Sequence, residues 1–233
     1  MTTTNRKTRF STDALIRWTG LAAVAAGAIF AGIQPIHPPD LLASVTTTPW
    51  AIVIGLKFAM CLLFLVGITG IYIKQSSKAG WLGFAGFALL ILSWWLQTGF
   101  VFVEAFVLPV LPDAAPGFIS SFLGMVNPAS PVLMDVGALA SVYAVVGIFY
   151  MLGGLVFGIA TVRAGVLPRL PAIVLAVAAV LTPLAVLLPH EIQRFAAVPV
   201  GLALAWLGYT LWSMRSGAAP AELSSSLVHV TAQ

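Results

Sequence analysis

The sequence predicts an all-α protein, a polytopic transmembrane bundle of six helices with a short amphipathic helix on its outer surface. Three observations predict it. Of 233 residues, 60% are hydrophobic and only 8% are charged, against about 45–50% and about 25% in soluble domains. A water-soluble globule of that composition would lack the polar residues to cover its apolar surface. The apolar residues fall into six stretches near the roughly 20-residue length that carries a helix across a hydrocarbon core about 30 Å thick. When those stretches are threaded through a bilayer, the lysines and arginines separate onto one side.

The same numbers exclude other classes. Disordered chains are polar and highly charged, and a disulfide scaffold needs more than the single Cys61. A transmembrane barrel alternates apolar and polar residues in roughly ten-residue segments, whereas residues 51–66 and 172–180 do not alternate. In lipid, an unbroken apolar run satisfies its own backbone only as a helix.

The predicted spans, in order, are 12–33, 50–73, 81–103, 136–162, 170–188 and 194–213. The first carries Arg17 near its start, a residue that can snorkel to the interface. Basic residues before an apolar run also describe a cleaved signal peptide, but this run is long for one and its alanines read as a packing face. Span five contains Pro183, which removes a helical hydrogen bond and predicts a kink near the outer end. Pro199 lies near the start of span six, where a missing donor costs less. Residues 1–11 and 214–233 are expected to be mobile cytoplasmic tails.

Orientation follows from the basic residues. Arg6, Lys7, Arg9, Arg17, Lys74, Lys78, Arg163, Arg169 and Arg215 share one side; Lys57 and Arg194 do not. The alternate connections hold Asp40, Glu104, Asp113, Asp135 and Glu191. Both termini are therefore expected in the cytoplasm, with the protein multi-pass in a bacterial inner membrane. The net charge of +4 is a topology signal and a contact for anionic lipid headgroups; no nucleic-acid motif accompanies it.

Small residues mark the expected contact faces, because helices in lipid associate through close packing and polar contacts. They include Ala23, Gly27, Ala28 and Gly32 in span one, and Gly147, Gly153, Gly154 and Gly158 in span four. Ala197, Gly201 and Ala205 repeat the spacing in span six. They predict contacts within one bundle, with a homo-oligomer seam along span four, or a larger membrane complex, as the alternative.

The connection 104–135 is the one long loop. Within it, 117–126 reads as a short amphipathic helix opened by Pro116, either a lid or a shield over helix ends.

Ionisable residues inside spans are costly and raise a functional hypothesis. Lys57 lies about 10 Å inside span two at 1.5 Å per residue. It either snorkels or pairs with Glu104 or Asp135, with Gln97 and Thr98 as further hydrogen-bonding groups. His37, Lys57, Glu104, Asp135, His190, Glu191 and Arg194 all map to the outer third. Lys57, Gln97, Glu104, Asp135 and Arg194 form the candidate ligand or ion-pair pocket. His37 and His190 could supply two axial ligands to a b-type haem, or with Glu191 hold a metal ion; no cofactor is required by the sequence. No GxSxG, Walker, HExxH or CxxC motif occurs, so no catalytic residue is assigned, and Cys61 reads as an apolar filler.

Residues 153–171, GGLVFGIATVRAGVLPRLP, and 198–212, VPVGLALAWLGYTLW, resemble a family of small, uncharacterised polytopic membrane proteins of actinobacteria and related bacteria. The resemblance covers the last three spans, with the RAGVLPR turn as its most specific part. It implies a bacterial inner membrane and brings no activity. The leading expectation is a non-enzymatic membrane protein that binds a small or lipidic ligand in an outward-facing polar pocket, or an accessory subunit. The alternatives are a small proton-linked transporter and a haem- or metal-binding redox protein.

Overall fold

The computed structural model describes residues 12–188 and 190–214; the predicted tails, apart from Met214, lie outside them. Among the described residues the chain is all-α. The helices are α1 (Thr12–Gly32), α2 (Thr48–Phe102), α3 (Pro116–Leu123), α4 (Ala138–Ala164), α5 (Arg169–Leu181), α6 (His190–Gln193) and α7 (Val198–Ser213). Four helical stretches are long and apolar enough to cross a membrane, namely Thr12–Ile36, Thr48–Val110, Ala138–Ala164 and Arg194–Ser213. Their outward faces carry large apolar side chains, including Trp18, Trp81, Tyr209 and Trp212 at one end of the bundle, as an aromatic belt at a bilayer interface would. The protein is a membrane-embedded α-helical bundle.

α2 is a hairpin. Its 55 residues are helical except at Gly80, where φ is +57° and ψ is −159°, a conformation essentially reserved for glycine. The two limbs then run antiparallel. Phe58 meets Phe102, Phe64 meets Trp94 at a ring separation of 4.4 Å, and Tyr72 stacks on Phe87 at 4.3 Å. The sequence places a non-helical connection at 74–80. Instead helix persists to the reversal itself, which needs only one residue of positive φ.

The helices close into a ring: α1 lies against the first limb of α2 and against α7, the second limb lies against α4, and α5 bridges α4 and α7. Small residues permit these approaches. A Cβ on Gly27 would collide with the Gly201 backbone, and one on Gly158 would sit 2.5 Å from the Ala172 carbonyl oxygen. Gly154 likewise meets Ala179, so the GxxxG pair of span four is used against α5 within the chain. Gly32 and Gly147 face open space and are not part of these seams.

α5 is regular for only 13 residues and continues as a 3-10 helix over Thr182–Leu187. Pro183 explains the change, because it cannot donate the next α-helical bond. Before α7, Arg194–Ala197 is also 3-10. Both 3-10 segments lie at the end remote from Gly80. Arg17 donates to the Trp212 carbonyl oxygen, and Gln75 donates to Thr161. These contacts align Arg17, Lys74, Lys78, Arg163 and Arg169 at the Gly80 end, hereafter the basic end.

The short helix predicted at 117–126 is α3. Ile119, Ser120, Ser121, Phe122 and Leu123 are buried, and Phe122 contacts Phe100. Its loop is tied down by its own polar groups. Ser121 Oγ accepts from the amides of Leu133 and Met134, and Asn127 donates to the Asp40 carbonyl oxygen. α3 therefore packs into the bundle end as a fixed cap.

Candidate functional site

Four segments bring charge to the end opposite the basic one, the last being the Arg194–Ala197 turn before α7. The first α2 limb carries Lys57, three turns into the helix. The second limb does not stop at the predicted residue 103. It runs on through a π-helical turn, Val103–Val107, and π turns often mark functional sites. The wide turn holds Glu104 3% exposed and facing the first limb. Lys57 Nζ reaches Glu104 Oε2 at 2.6 Å. Trp50 Nε1 donates to the Glu104 backbone oxygen at 3.1 Å, which fixes the turn that positions the carboxylate.

The third contributor is the loop after α1. Gln34 begins a 3-10 turn and donates to the Phe30 carbonyl oxygen. The chain then carries His37 and Asp40 under Arg194. Arg194 Nη1 donates to the His37 carbonyl oxygen at 2.8 Å, and Nη2 lies 3.9 Å from Asp40 Oδ2. His37 Nδ1 donates to the Pro38 carbonyl oxygen at 2.7 Å. Burial, reinforced by the neighbouring positive charge of Lys57, pushes the His37 imidazole down to about 4, so it is neutral at pH 7.

Lys57, His37, Asp40 and Arg194 border a cavity of about 380 Å³ whose wall also includes Phe30, Gln34, Tyr143, Thr182 and Gln193. A second cavity, about 240 Å³, lies deeper and is lined by Ser93, Trp94, Gln97, Gly147 and Tyr150. Phe30, Lys57, Met60 and Tyr143 line both, so the two are adjoining chambers with Lys57 in the shared wall. α1, both limbs of α2, α4 and the 3-10 turns after α5 and before α7 supply this wall. Beneath the inner chamber the ring is filled by Phe64, Ile68, Leu90 and Phe157, all 0–1% exposed.

The chambers combine apolar walls with balanced charge. Lys57 faces Glu104, Arg194 faces Asp40, and His37 is neutral. Two further groups border the inner chamber without a hydrogen bond among the described residues, the Trp94 indole N–H and the Tyr150 hydroxyl. Tyr150 comes near Thr182, whose hydroxyl donates to the Ala178 carbonyl oxygen, but the approach of the two hydroxyls falls short of a hydrogen bond. Such buried polar atoms are the places where an outside partner gains most.

Of the predicted site residues, Lys57, Gln97 and Arg194 line the chambers, as does His37, and Glu104 stands behind the wall, held to Lys57. Asp135 does not. It is exposed and accepts from the Gly137 amide at 2.8 Å, capping the turn into α4. Depth along the helix made it a candidate, but its side chain is spent on that local turn. Thr98 bonds the Trp94 carbonyl oxygen in its own helix. The side chains of His190 and Glu191 lie outside the described residues, and among the described ones no three His, Cys, Asp or Glu side chains cluster as metal ligands. Cys61 is buried and free.

Sequence reasoning overlooked Asp40, Tyr143, Trp94 and Tyr150 as parts of the site. One signal was available: Tyr143, Gly147 and Tyr150 share a helical face by their spacing. Nothing in the sequence separates Trp94, which lines the chamber, from Trp95, which is 62% exposed.

The architecture defines a membrane-embedded α-helical bundle with a polar-mouthed, two-chambered cavity. No family model, curated protein or solved structure matches this chain.

Proposed function

We propose that this protein is a non-enzymatic membrane protein that takes a small neutral amphiphile into the two chambers from the end opposite the basic one. On this reading it crosses a bacterial inner membrane six times, both termini are cytoplasmic, and the cavity faces outward. The basic end carries the residues that favour the cytoplasmic side. One observation carries the reading: α1, both limbs of α2, α4 and the 3-10 turns beside α5 and α7 wall two adjoining chambers, the outer of which, about 380 Å³, is of small-molecule size, roughly 300–1,000 Å³. Paired charges leave no net attraction for an ion, while apolar walls and the unpartnered Trp94 and Tyr150 groups suit a molecule with an apolar body and a hydrogen-bonding head.

Binding is favoured over passage because the packed layer of Phe64, Ile68, Leu90 and Phe157 separates the inner chamber from the basic end. Transport would require that layer to part, with Lys57 and Glu104 as the gate.

Cysteine accessibility tests the reading. In intact cells and a Cys61→Ala background, an impermeant cationic thiol reagent should modify Gln193→Cys quickly and Gln97→Cys more slowly. Leu92→Cys, on the outward apolar face of the same helix as Gln97, should resist. Ser76→Cys at the basic end should react only after permeabilisation. If Gln97→Cys is as inert as Leu92→Cys, or Ser76→Cys reacts first, the reading fails.

A further inference from the structure

On the outside of the ring, α4 and α5 enclose a furrow of about 520 Å³ that belongs to neither chamber. Its shape follows from the seam beneath it. Gly158 and Ala176 form the floor, because a glycine here lets α5 approach until a Cβ would touch Ala176. Around that low floor the larger side chains splay outward: Ile159, Ile173, Val177 and Leu181 are each more than two-fifths exposed. From Leu155 to Arg163 the furrow runs about 12 Å along α4 at 1.5 Å per residue, most of one leaflet of a core about 30 Å thick.

Its lining is apolar except at one point. Arg163, in the last turn of α4, closes the furrow at the basic end. It is exposed, and none of the ion pairs or hydrogen bonds among the described residues involves it. Arg169 stands in the first turn of α5, across the Gly165 turn. An apolar trough one leaflet deep, ending in a guanidinium with no partner among the described residues, has the chemistry of an acyl chain continued by an anionic headgroup. A second copy of this chain would have to bring an acid to the same level. Among the described residues of the basic end, that is Asp13 alone, on α1, which packs against α2 and α7.

We propose that the α4–α5 furrow binds one acyl chain of an anionic phospholipid whose phosphate is held by Arg163. The site is independent of the chambers and of the small-molecule reading.

Native mass spectrometry of the full chain, delipidated in detergent and titrated with phosphatidylglycerol or phosphatidylcholine, tests it. The wild type should bind the first phosphatidylglycerol about fivefold more tightly than phosphatidylcholine, the preference expected of one basic residue near a membrane phosphate. Arg163→Gln should abolish that preference, Arg163→Lys should keep most of it, and Lys78→Gln should leave it unchanged. Val177→Trp, which fills the trough from an exposed position, should weaken both lipids. The proposal is overturned if the wild type does not discriminate, or if Arg163→Gln still does. It is overturned equally if Lys78→Gln matches Arg163→Gln, if Val177→Trp binds as the wild type does, or if the furrow variants instead dissociate a dimer.

Discussion

At the scale of single residues, the Lys57–Glu104 pair dominates the pocket end. Two charges drawn largely out of water lose hydration that their attraction must offset, and removing one partner leaves the other stranded. Lys57→Met and Glu104→Leu should each destabilise the protein by about 3 kcal/mol, while the Lys57→Met/Glu104→Leu double variant should recover most of the loss. Thermal midpoints of the four proteins in one detergent, combined as a double-mutant cycle, check this. Additive losses would mean that the two groups do not depend on each other. His37 sets a pH dependence. Its imidazole is pushed down to about 4 in the folded protein, below the ordinary value near 6.5, so the unfolded chain binds the proton more readily. Its stabilising contribution is therefore complete above pH 6.5 and is lost as pH falls towards 4. Thermal midpoints measured across that window should drop, and His37→Gln should flatten the drop.

At the scale of elements, the α2 hairpin turns on one residue. Gly80 at φ +57° and ψ −159° occupies a region that costs a residue with a Cβ about 1–3 kcal/mol, although the space around it is open. Gly80→Ala should lower stability by that amount through backbone strain alone, measured as the shift in unfolding midpoint. Gly27 is the opposite case: its conformation is ordinary helix, but α7 leaves no room for a side chain. Gly27→Leu should separate α1 from α7 and lose the folded protein altogether, scored as monodisperse yield in detergent, whereas the exposed Gly147→Leu should be tolerated. The elements of this chain were largely readable from sequence, because hydropathy and proline are local signals. The α3 helix begins at its proline, α5 loosens at Pro183 and α7 starts beside Pro199. The π turn at Val103–Val107 carries no such local mark; it extends the helix past its predicted end and turns Glu104 inward.

At the scale of the whole molecule, the ring gathers its polar residues at two depths for different reasons. The basic end follows from the distribution of lysine and arginine. The chambers lie where the helices give way to other turns, 3-10 after α1, after α5 and before α7 and π at Val103–Val107. On the proposed topology, reporter fusions at the two termini should both signal from the cytoplasm, and a fusion within the 126–132 loop should signal from the outside. Termini on opposite sides would separate the basic end from the orientation assigned to it.

Composition and hydropathy alone determined that this protein is a membrane-embedded bundle of helices, and the segregation of basic residues determined which ends lie together. Those properties add up residue by residue along the chain. Only the tertiary structure decided that Lys57 pairs with Glu104 rather than Asp135, that Trp94 and Tyr150 border a cavity, and that Gly154 and Gly158 are used inside the chain. Each of these depends on how a helix is rotated about its own axis when it meets its neighbours, and that rotation is set by packing between residues far apart in sequence.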